Sequence, residues 1–462
     1  MKRRPLPQRR LLAACITLML APLAPATASA QDRDNTGLGA WFTATNWSGD
    51  TLPTASTDAR INNGGTANAN SVSAPGNMVA QNLDIGVDGG TGSLESDGVD
   101  LELQFPLQIG LIQPSHDSGG TANGQAVFTD GAILPWVQDD FDDVIGALHV
   151  GAAYTTGEGI GRLEVSDGAV PAQTIGINVG YVETLEGDID AIASANGTLV
   201  LRSTAITDSQ VLQIGGVDTE AVGSSGTATA FVTIEDTTTD SRITIGQTAA
   251  DAENSAARSA TTVTLTDFTG PSRLKILDVD VISGATGGVA QGTAEVNLLR
   301  VNYQTTSDLD IAECAPNATD SEILPSRVDI TVADSTLQSR LIDLAEMDAN
   351  GNGIGDCTVV MTVTGSSLIS TGTGLTIADS EARTESQGRS TASLTMDSST
   401  LETTTLDIGL AFANGTSVAV ADGSLTMIDS TATVGTRARV GRWADVEDNS
   451  TATGNSVTAR LA

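Results

Sequence analysis

Aromatic residues make up only 3% of this chain, whose 40% hydrophobic content is carried mainly by Ala, Val, Ile and Leu. After residue 30 the sequence holds one lysine, Lys275, and two histidines, His116 and His149, and it has no Gly-x-Ser-x-Gly or His-Glu-x-x-His motif. No stretch after residue 30 has the roughly 18 apolar residues of a membrane helix. We therefore predict no catalytic residues, no cofactor-binding residues and no transmembrane segment in the mature chain.

Basic residues are also scarce. The net charge is −35, and it becomes −40 when residues 1–30, which contain five basic and no acidic residues, are left out. Such a chain repels phosphate backbones, which excludes nucleic acid as a partner. It should attract divalent cations or basic surfaces, although solubility of a long exposed fold explains the charge equally well.

The first 30 residues have the pattern of a secretory signal. A basic segment (Lys2 to Arg10) precedes an apolar run from Leu11 to Leu23, and Ala28-Ser29-Ala30 stands before polar sequence. We expect cleavage after Ala30 and a mature protein that is secreted or held at the cell surface.

The stretch Val211 to Thr238 shows a unit that returns along the chain. Leu212-Gln213-Ile214 ends at Gly215, a polar run follows, and apolar residues then alternate with Thr or Phe until Asp236. Similar corners stand at Leu83-Asp84-Ile85-Gly86, Leu107-Gln108-Ile109-Gly110, Leu148-His149-Val150-Gly151, Ile243-Thr244-Ile245-Gly246 and Leu406-Asp407-Ile408-Gly409, with weaker ones at Asn178-Val179-Gly180, Leu375-Thr376-Ile377-Ala378 and Thr433-Val434-Gly435. A period of about thirty residues indicates a stacked repeat.

Alternation of apolar and polar residues is the strand period, and glycine corners and Asp turns close each coil. One coil cannot bury its apolar row alone, so neighbouring coils must stack. The sequence therefore predicts an all-β fold, a parallel β-helix (β-solenoid) of irregular coils with loop insertions. An antiparallel sandwich is the structural alternative. Asp97, Asp130, Asp167, Asp236, Asp267, Asp334, Asp397 and Asp422 are all expected at the same turn position.

Residues 31–80 differ from the body of the chain. They contain Gly39-Ala40-Trp41 and Asn46-Trp47-Ser48, and Leu-x-Ile-Gly corners follow from Leu83. This order resembles the start of bacterial secreted, autotransporter-type β-solenoid passenger regions, which implies a cap followed by coils. We expect Trp41 and Trp47 to plug the open end of the stack; the alternative is a sugar-stacking platform.

Asp348-Ala349-Asn350-Gly351-Asn352-Gly353-Ile354-Gly355-Asp356 has the spacing of the head of a calcium loop, with a glycine at its sixth position. Together with Cys357 it resembles a thrombospondin type 3 calcium repeat. The resemblance implies side-chain ligands at Asp348, Asn350, Asn352 and Asp356 and a backbone carbonyl at Ile354. Two of the pattern's aspartates are Asn here, which should weaken the affinity; the alternative is a plain Asn-Gly turn.

After the signal is removed, Cys314 and Cys357 remain as an even pair in an exported protein, which predicts a disulfide; two free thiols are the alternative. By closing the loop between these cysteines, the disulfide would lower the entropy of the unfolded chain, which stabilises the fold by about 4 kcal/mol in the simple model. The predicted organisation is a signal peptide (1–30), an N-terminal cap (31–80), β-helix coils (81–302), an irregular insertion with the calcium loop (303–357), and further coils with a C-terminal cap (358–462).

Three functions fit this organisation. The first is a non-enzymatic surface, matrix or adhesion protein whose extracellular partner, a surface, polysaccharide or protein, is unknown. The second is a calcium-dependent binding module. The third is a carbohydrate-active β-helix enzyme of the pectate-lyase-like class, against which the scarcity of Lys and Arg counts. Of the two histidines, we expect His149 to be exposed at a strand corner.

Overall fold

The computed structural model describes residues 30–34, 36–105, 107–113, 119–134, 148–171, 176–207, 211–282, 284–414, 416–445 and 456–461. Residues 1–29 of the predicted signal, His116 and the acidic cluster at 139–143 lie outside these residues. The described chain is an all-β, parallel β-solenoid of about 12 turns. This confirms the predicted fold class and excludes the sandwich.

Each coil has up to three sides, which we call the bent, long and short sides. The bent side contains Gln31–Asp32, Ala59–Ile61, Leu83–Ile85, Leu107–Ile112, Leu148–Ala153, Ile177–Thr184, Val211–Ile214, Val217–Thr219, Arg242–Ala250, Arg273–Val281 and Leu309–Pro316. The long side contains Leu38–Ala40, Asn63–Asn70, Thr91–Asp97, Thr121–Thr129, Gly157–Ser166, Ile192–Arg202, Ser225–Thr238, Ala256–Thr269, Val289–Leu299, Glu322–Ala333, Ile354–Thr364, Gln387–Asp397, Val418–Ile428 and Ser456–Leu461. The short side contains Met78–Ala80, Leu101–Leu103, Ile133–Leu134, Ala169–Pro171, Ala205–Thr207 and Asn302–Gln304.

In the last coils the short and bent sides form one continuous strand. These strands are Thr336–Ala349, Ser367–Ala382, Thr400–Ala413 and Thr431–Asp445. Two short 3₁₀ helices, Ala44–Asn46 and Ser48–Asp50, lie in the first coil.

The predicted corners lie directly over one another. Leu83 pairs with Leu107, Ile85 with Ile109, and the same register continues through Ile245 with Ile276. Gly86, Gly110, Gly151, Gly180, Gly215, Gly246 and Gly409 all have positive φ, as the corner requires. The apolar residues of each corner point into one continuous core.

The corner bends toward the lumen, because its backbone approaches the opposite long side. A Cβ on Gly151 would lie 2.1 Å from the carbonyl oxygen of Asn196 on the long side. The outer surface of the bent side is therefore concave at each corner. Side chains that flank the bend lie in this groove, and Asp84 and Asp407 are almost fully buried there.

Three local expectations are wrong. Residues 303–357 are not an irregular insertion: they contain regular strands that continue the stack, with corners at Ala312 and Ala345 in place of glycine. The last corner is Gly441, since Ile408 pairs with Val440, whereas Gly435 lies within the strand. Three of the eight aspartates expected in the turn lie elsewhere: Asp97 and Asp397 are the last residues of their strands, and Asp422 lies inside Val418–Ile428. Gly98, Ser398 and Asp429 hold the turn in these coils with positive φ.

At the N-terminal end the two tryptophans pack against each other. Trp41 and Trp47 are buried, their rings meet edge to face at 4.8 Å, and the Trp47 indole donates a hydrogen bond of 2.8 Å to the Trp41 carbonyl. Neither ring offers an exposed face, so the sugar-platform alternative fails at these residues.

Candidate functional site

The predicted calcium motif forms a tight turn between two strands. Asp348 lies at the end of Thr336–Ala349 and Asp356 lies in Ile354–Thr364. Between them Gly353 N donates to Asn350 O at 3.0 Å, and Asn352 adopts positive φ. The side-chain oxygen of Asn350 accepts from Gly351 N.

The same turn recurs in neighbouring coils, where Ser255 N donates to Ala252 O and Gly288 N donates to Ala285 O. The first of these turns shares only Asn254, which stands at the position of Asn352, and the second has none of the motif's Asp or Asn residues, so coil closure alone explains the backbone geometry. Among the described residues, no group of three or more His, Cys, Asp or Glu side chains is arranged to hold a metal. Asp348 Oδ1 is buried and has no hydrogen-bond partner among the described residues, and the same is true of Asp218 Oδ1 and Asp280 Oδ1 at the equivalent position of earlier coils.

The predicted cysteine pair is joined. Cys314 and Cys357 form a disulfide with their Cα atoms 6.2 Å apart, and both side chains are buried. Cys314 lies on the bent side and Cys357 on the long side of the following coil. The bridge therefore crosses the lumen and ties two successive coils together.

The coils that contain His149, Tyr154 and Tyr181 place aromatic side chains in the groove on the bent side. His149 is only 1% exposed, so the expectation of an exposed side chain is wrong: its Nε2 lies 3.4 Å from the Tyr154 hydroxyl, and the two rings are edge to face. The Tyr181 hydroxyl donates to Glu183 Oε2 at 2.9 Å. Burial raises the pKa of both tyrosines, which keeps them protonated.

The C-terminal half of the groove is acidic. Asp278, Glu313, Glu346 and Asp379 pair in register through four successive coils and form a column on one flank of the bend. Asp310 and Asp343 pair on the other flank. Neighbouring coils are roughly 4.8 Å apart, so these carboxylates are closely stacked. We call these six residues the acidic groove.

Desolvation controls the charge of this groove. Burial, and then the neighbouring carboxylates, raise the pKa of Glu346 to about 7. Burial likewise raises the pKa of Asp343 and of Asp379 to about 7, with Glu346 adding to the shift at Asp379. Near neutral pH the groove therefore holds a mixture of protonated and ionised carboxyls.

The basic residues next to the acidic groove are held in ion pairs. Lys275 Nζ lies 2.8 Å from Asp278 Oδ2 and 2.8 Å from Glu313 Oε2, and Arg273 lies 3.4 Å from Asp310. Although burial lowers the pKa of Lys275, the two carboxylates outweigh it and the net shift is upward. Lys275 is therefore protonated at neutral pH.

The long side carries a column of polar side chains, six of threonine and one of asparagine, which we call the polar row. The residues at this position pair in register from coil to coil: Thr233, Thr264, Asn297, Thr331, Thr362, Thr395 and Thr426. Their side chains are exposed or half-buried. The result is a straight polar row that runs along the solenoid axis.

The acidic groove was missed in the sequence because its members belong to different coils. The available signal is that Asp310 and Asp343 each stand between two apolar residues, as Asp84 and Asp407 do at the recognised corners. Accepting alanine as a corner residue would have placed all four in one column.

Comparisons with known proteins give no assignment. No family model matches the chain, and neither the curated proteins nor the solved structures contain a significant match. Within the described residues, no helix has the length and apolar character needed to span a membrane.

Proposed function

We propose that the protein is a secreted, non-enzymatic β-solenoid that works by extended contact with an extracellular surface, as a cell-surface, matrix or adhesion protein. The observation that supports this most is the in-register polar row on the long side. It offers a hydrogen-bonding side chain at each coil step, a threonine in every coil but the one with Asn297, which suits a partner that is itself long and repetitive. The resemblance to autotransporter-type passenger regions is in keeping with this proposal.

The state of the basic residues supports a non-enzymatic role. Several acids do meet beside Arg273 and Lys275, which is the inventory of a lyase-like site. A lyase base must accept a proton, however, and Lys275 is held protonated by two carboxylates while Arg273 is bound to Asp310. Neither residue is poised to act as a base near neutral pH.

A co-sedimentation assay tests the proposal. The full chain is mixed with particles of neutral polysaccharide, anionic polysaccharide or matrix protein, and bound protein and soluble products are both measured. We expect saturable adsorption to at least one surface without release of reducing ends or unsaturated sugars. Product release that disappears in Glu346→Gln would replace the proposal with a carbohydrate-active enzyme, and no adsorption to any surface would overturn it.

A calcium-dependent binding module is the second candidate, and it is favoured by the spacing of Asp, Asn and Gly from Asp348 to Asp356, in which Asp348 Oδ1 is buried without a hydrogen-bond partner. Two Asn ligands and the lack of a bidentate Glu suggest weak binding, with a Kd on the order of 10⁻⁴ to 10⁻³ M. Calorimetric titration with calcium should give heat that Asp348→Ala removes and that Asp429→Asn, at a distant corner, retains. Equal heat in wild type and Asp348→Ala, or none in either, rejects this candidate.

A further inference from the structure

A depression with a volume of about 270 Å³ lies on the long side. Phe231 lies at one end, and it is the one aromatic side chain among the strongly exposed large hydrophobic residues of the described chain. Thr262, Glu295 and Asp329 follow it in register on the next three coils. Arg327 completes the far end. We call this the Phe231 depression.

A β-bulge shapes the far end. Ala290 pairs with Ile323 but Thr293 pairs with Arg327, so the later strand carries an extra residue at this point. The Pro325 carbonyl is turned to accept a hydrogen bond of 3.1 Å from Gln291 Nε2. Bulges redirect side chains and are common next to binding sites.

The polar groups at this end are held in place. Arg327 donates two hydrogen bonds to the Asp329 carboxylate, at 2.7 and 2.5 Å. This bidentate pair fixes the orientation of the Arg327 guanidinium and the Asp329 carboxylate on an exposed surface. The carboxylate keeps further lone pairs for a ligand, while Glu295 is exposed beside it.

We propose that the Phe231 depression binds a short neutral oligosaccharide, with one sugar ring packed on Phe231 and hydroxyl groups of a later ring bound by Glu295 and Asp329. The C–H face of a pyranose is apolar and slightly positive, which matches the negative face of an aromatic ring. Sugar hydroxyls donate well to carboxylates. This inference rests on the proposed role in surface contact and names the chemistry of the partner.

The charge and the dimensions select the ligand. The carboxylates and the strongly negative chain repel anionic polymers, and the guanidinium that could attract them is already paired. Phe231 and Asp329 are three coil steps apart, roughly 14 Å, which suits several linked sugars better than one. The polar row beside the depression extends the same surface along the axis.

Calorimetric titration of the full chain with neutral linear trisaccharides of glucose, mannose and N-acetylglucosamine tests this site, with trigalacturonate as the anionic probe. We expect at least one neutral trisaccharide to bind and trigalacturonate to give no heat. Phe231→Ala and Asp329→Asn should each weaken the binding by about tenfold or more. Ile428→Ala removes a similarly exposed apolar side chain from the same side and should change it by less than about twofold.

Thermal unfolding of both variants shows whether either one fails to fold. If one does, the binding measured with the other variant tests the site. Absence of heat with every neutral trisaccharide, stronger binding of trigalacturonate, or unchanged binding in both variants would overturn the saccharide site. The co-sedimentation assay separates the two proposals. If wild type adsorbs to a surface but gives no heat with any neutral trisaccharide, the role in surface contact stands while this site is wrong.

Discussion

A Cβ atom placed on Gly161 would lie 2.1 Å from the backbone nitrogen of Gly151. Gly151 is the corner of the bent side, and Gly161 lies opposite it on the long side. The backbones of the two sides therefore touch across the lumen. Further along the stack the space is divided differently: Leu277 occupies the corner, and its Cδ1 lies 2.3 Å from the position of a Cβ on Gly292. A large side chain at the corner is therefore accommodated by a glycine on the opposite strand.

Replacing Gly161 by alanine should be strongly destabilising, because the three atoms nearest to the new Cβ, at 2.1 to 2.7 Å, all belong to backbone and cannot rotate away. We expect Gly161→Ala to lower the free energy of unfolding by about 3 kcal/mol or more. Gly76→Ala is the matched control, since it meets nothing within 4 Å and needs no positive φ. Urea unfolding followed by circular dichroism measures both, and equal stability of the two variants would contradict the packing.

The sequence predicted most of the coils whose corner is a glycine, although it placed one corner at Gly435 when Gly441 holds it. It missed the coils of residues 303–357, because Ala312 and Ala345 adopt the left-handed conformation without a glycine. That conformation costs alanine about 1–2 kcal/mol, and packing against the coils on either side offsets this cost. The cysteine pair could be predicted by counting. The acidic groove and the Phe231 depression could not, since both depend on register between residues about thirty or more positions apart.

The disulfide should contribute to stability even though the stack is otherwise continuous. Cys314→Ala combined with Cys357→Ala should lower the free energy of unfolding by about 2–4 kcal/mol, because the unfolded chain regains its freedom. The measurement is the urea midpoint with and without reductant. Reductant should shift the wild type and leave the double variant unchanged. Two titratable thiols in the untreated, unfolded chain would show that the bridge is not formed.

A serine ladder stabilises the turn between the long and short sides. In it the side-chain oxygen of each serine accepts a hydrogen bond from the backbone N–H of the serine one coil earlier, through Ser335, Ser366, Ser399 and Ser430. Ser366 Oγ accepts from Ser335 N at 3.0 Å and donates to the Thr364 carbonyl at 2.7 Å. Ser366→Ala would leave a buried amide without its partner, so we expect a loss of about 1–3 kcal/mol. Ser367→Ala, at the more exposed neighbour, should change stability by less than about 0.5 kcal/mol. Thermal unfolding of both variants provides the comparison, and similar midpoints would reject a structural role for the ladder.

The acidic groove predicts that the protein becomes less stable as the pH rises from about 4 to about 7. Asp343, Glu346 and Asp379 have pKa values of about 7 in the folded chain, above those of unfolded carboxyls. The folded state then binds more protons than the unfolded state in this window, so the free energy of unfolding falls with rising pH. Glu346→Gln removes the group between Glu313 and Asp379 and should flatten the dependence.

Thermal midpoints measured between about pH 5 and about pH 8 at constant ionic strength test this, and we expect the wild-type midpoint to fall by about 4 °C or more. Asp429→Asn removes an exposed acid from the turn after the long side and should leave the pH dependence of the midpoint unchanged. Because counterions bind the ionised groove more tightly than the protonated one, added salt should raise the midpoint more at the higher pH. A midpoint that rises between these pH values would mean that burial does not raise the pKa values of these stacked carboxyl groups, and it would contradict the prediction.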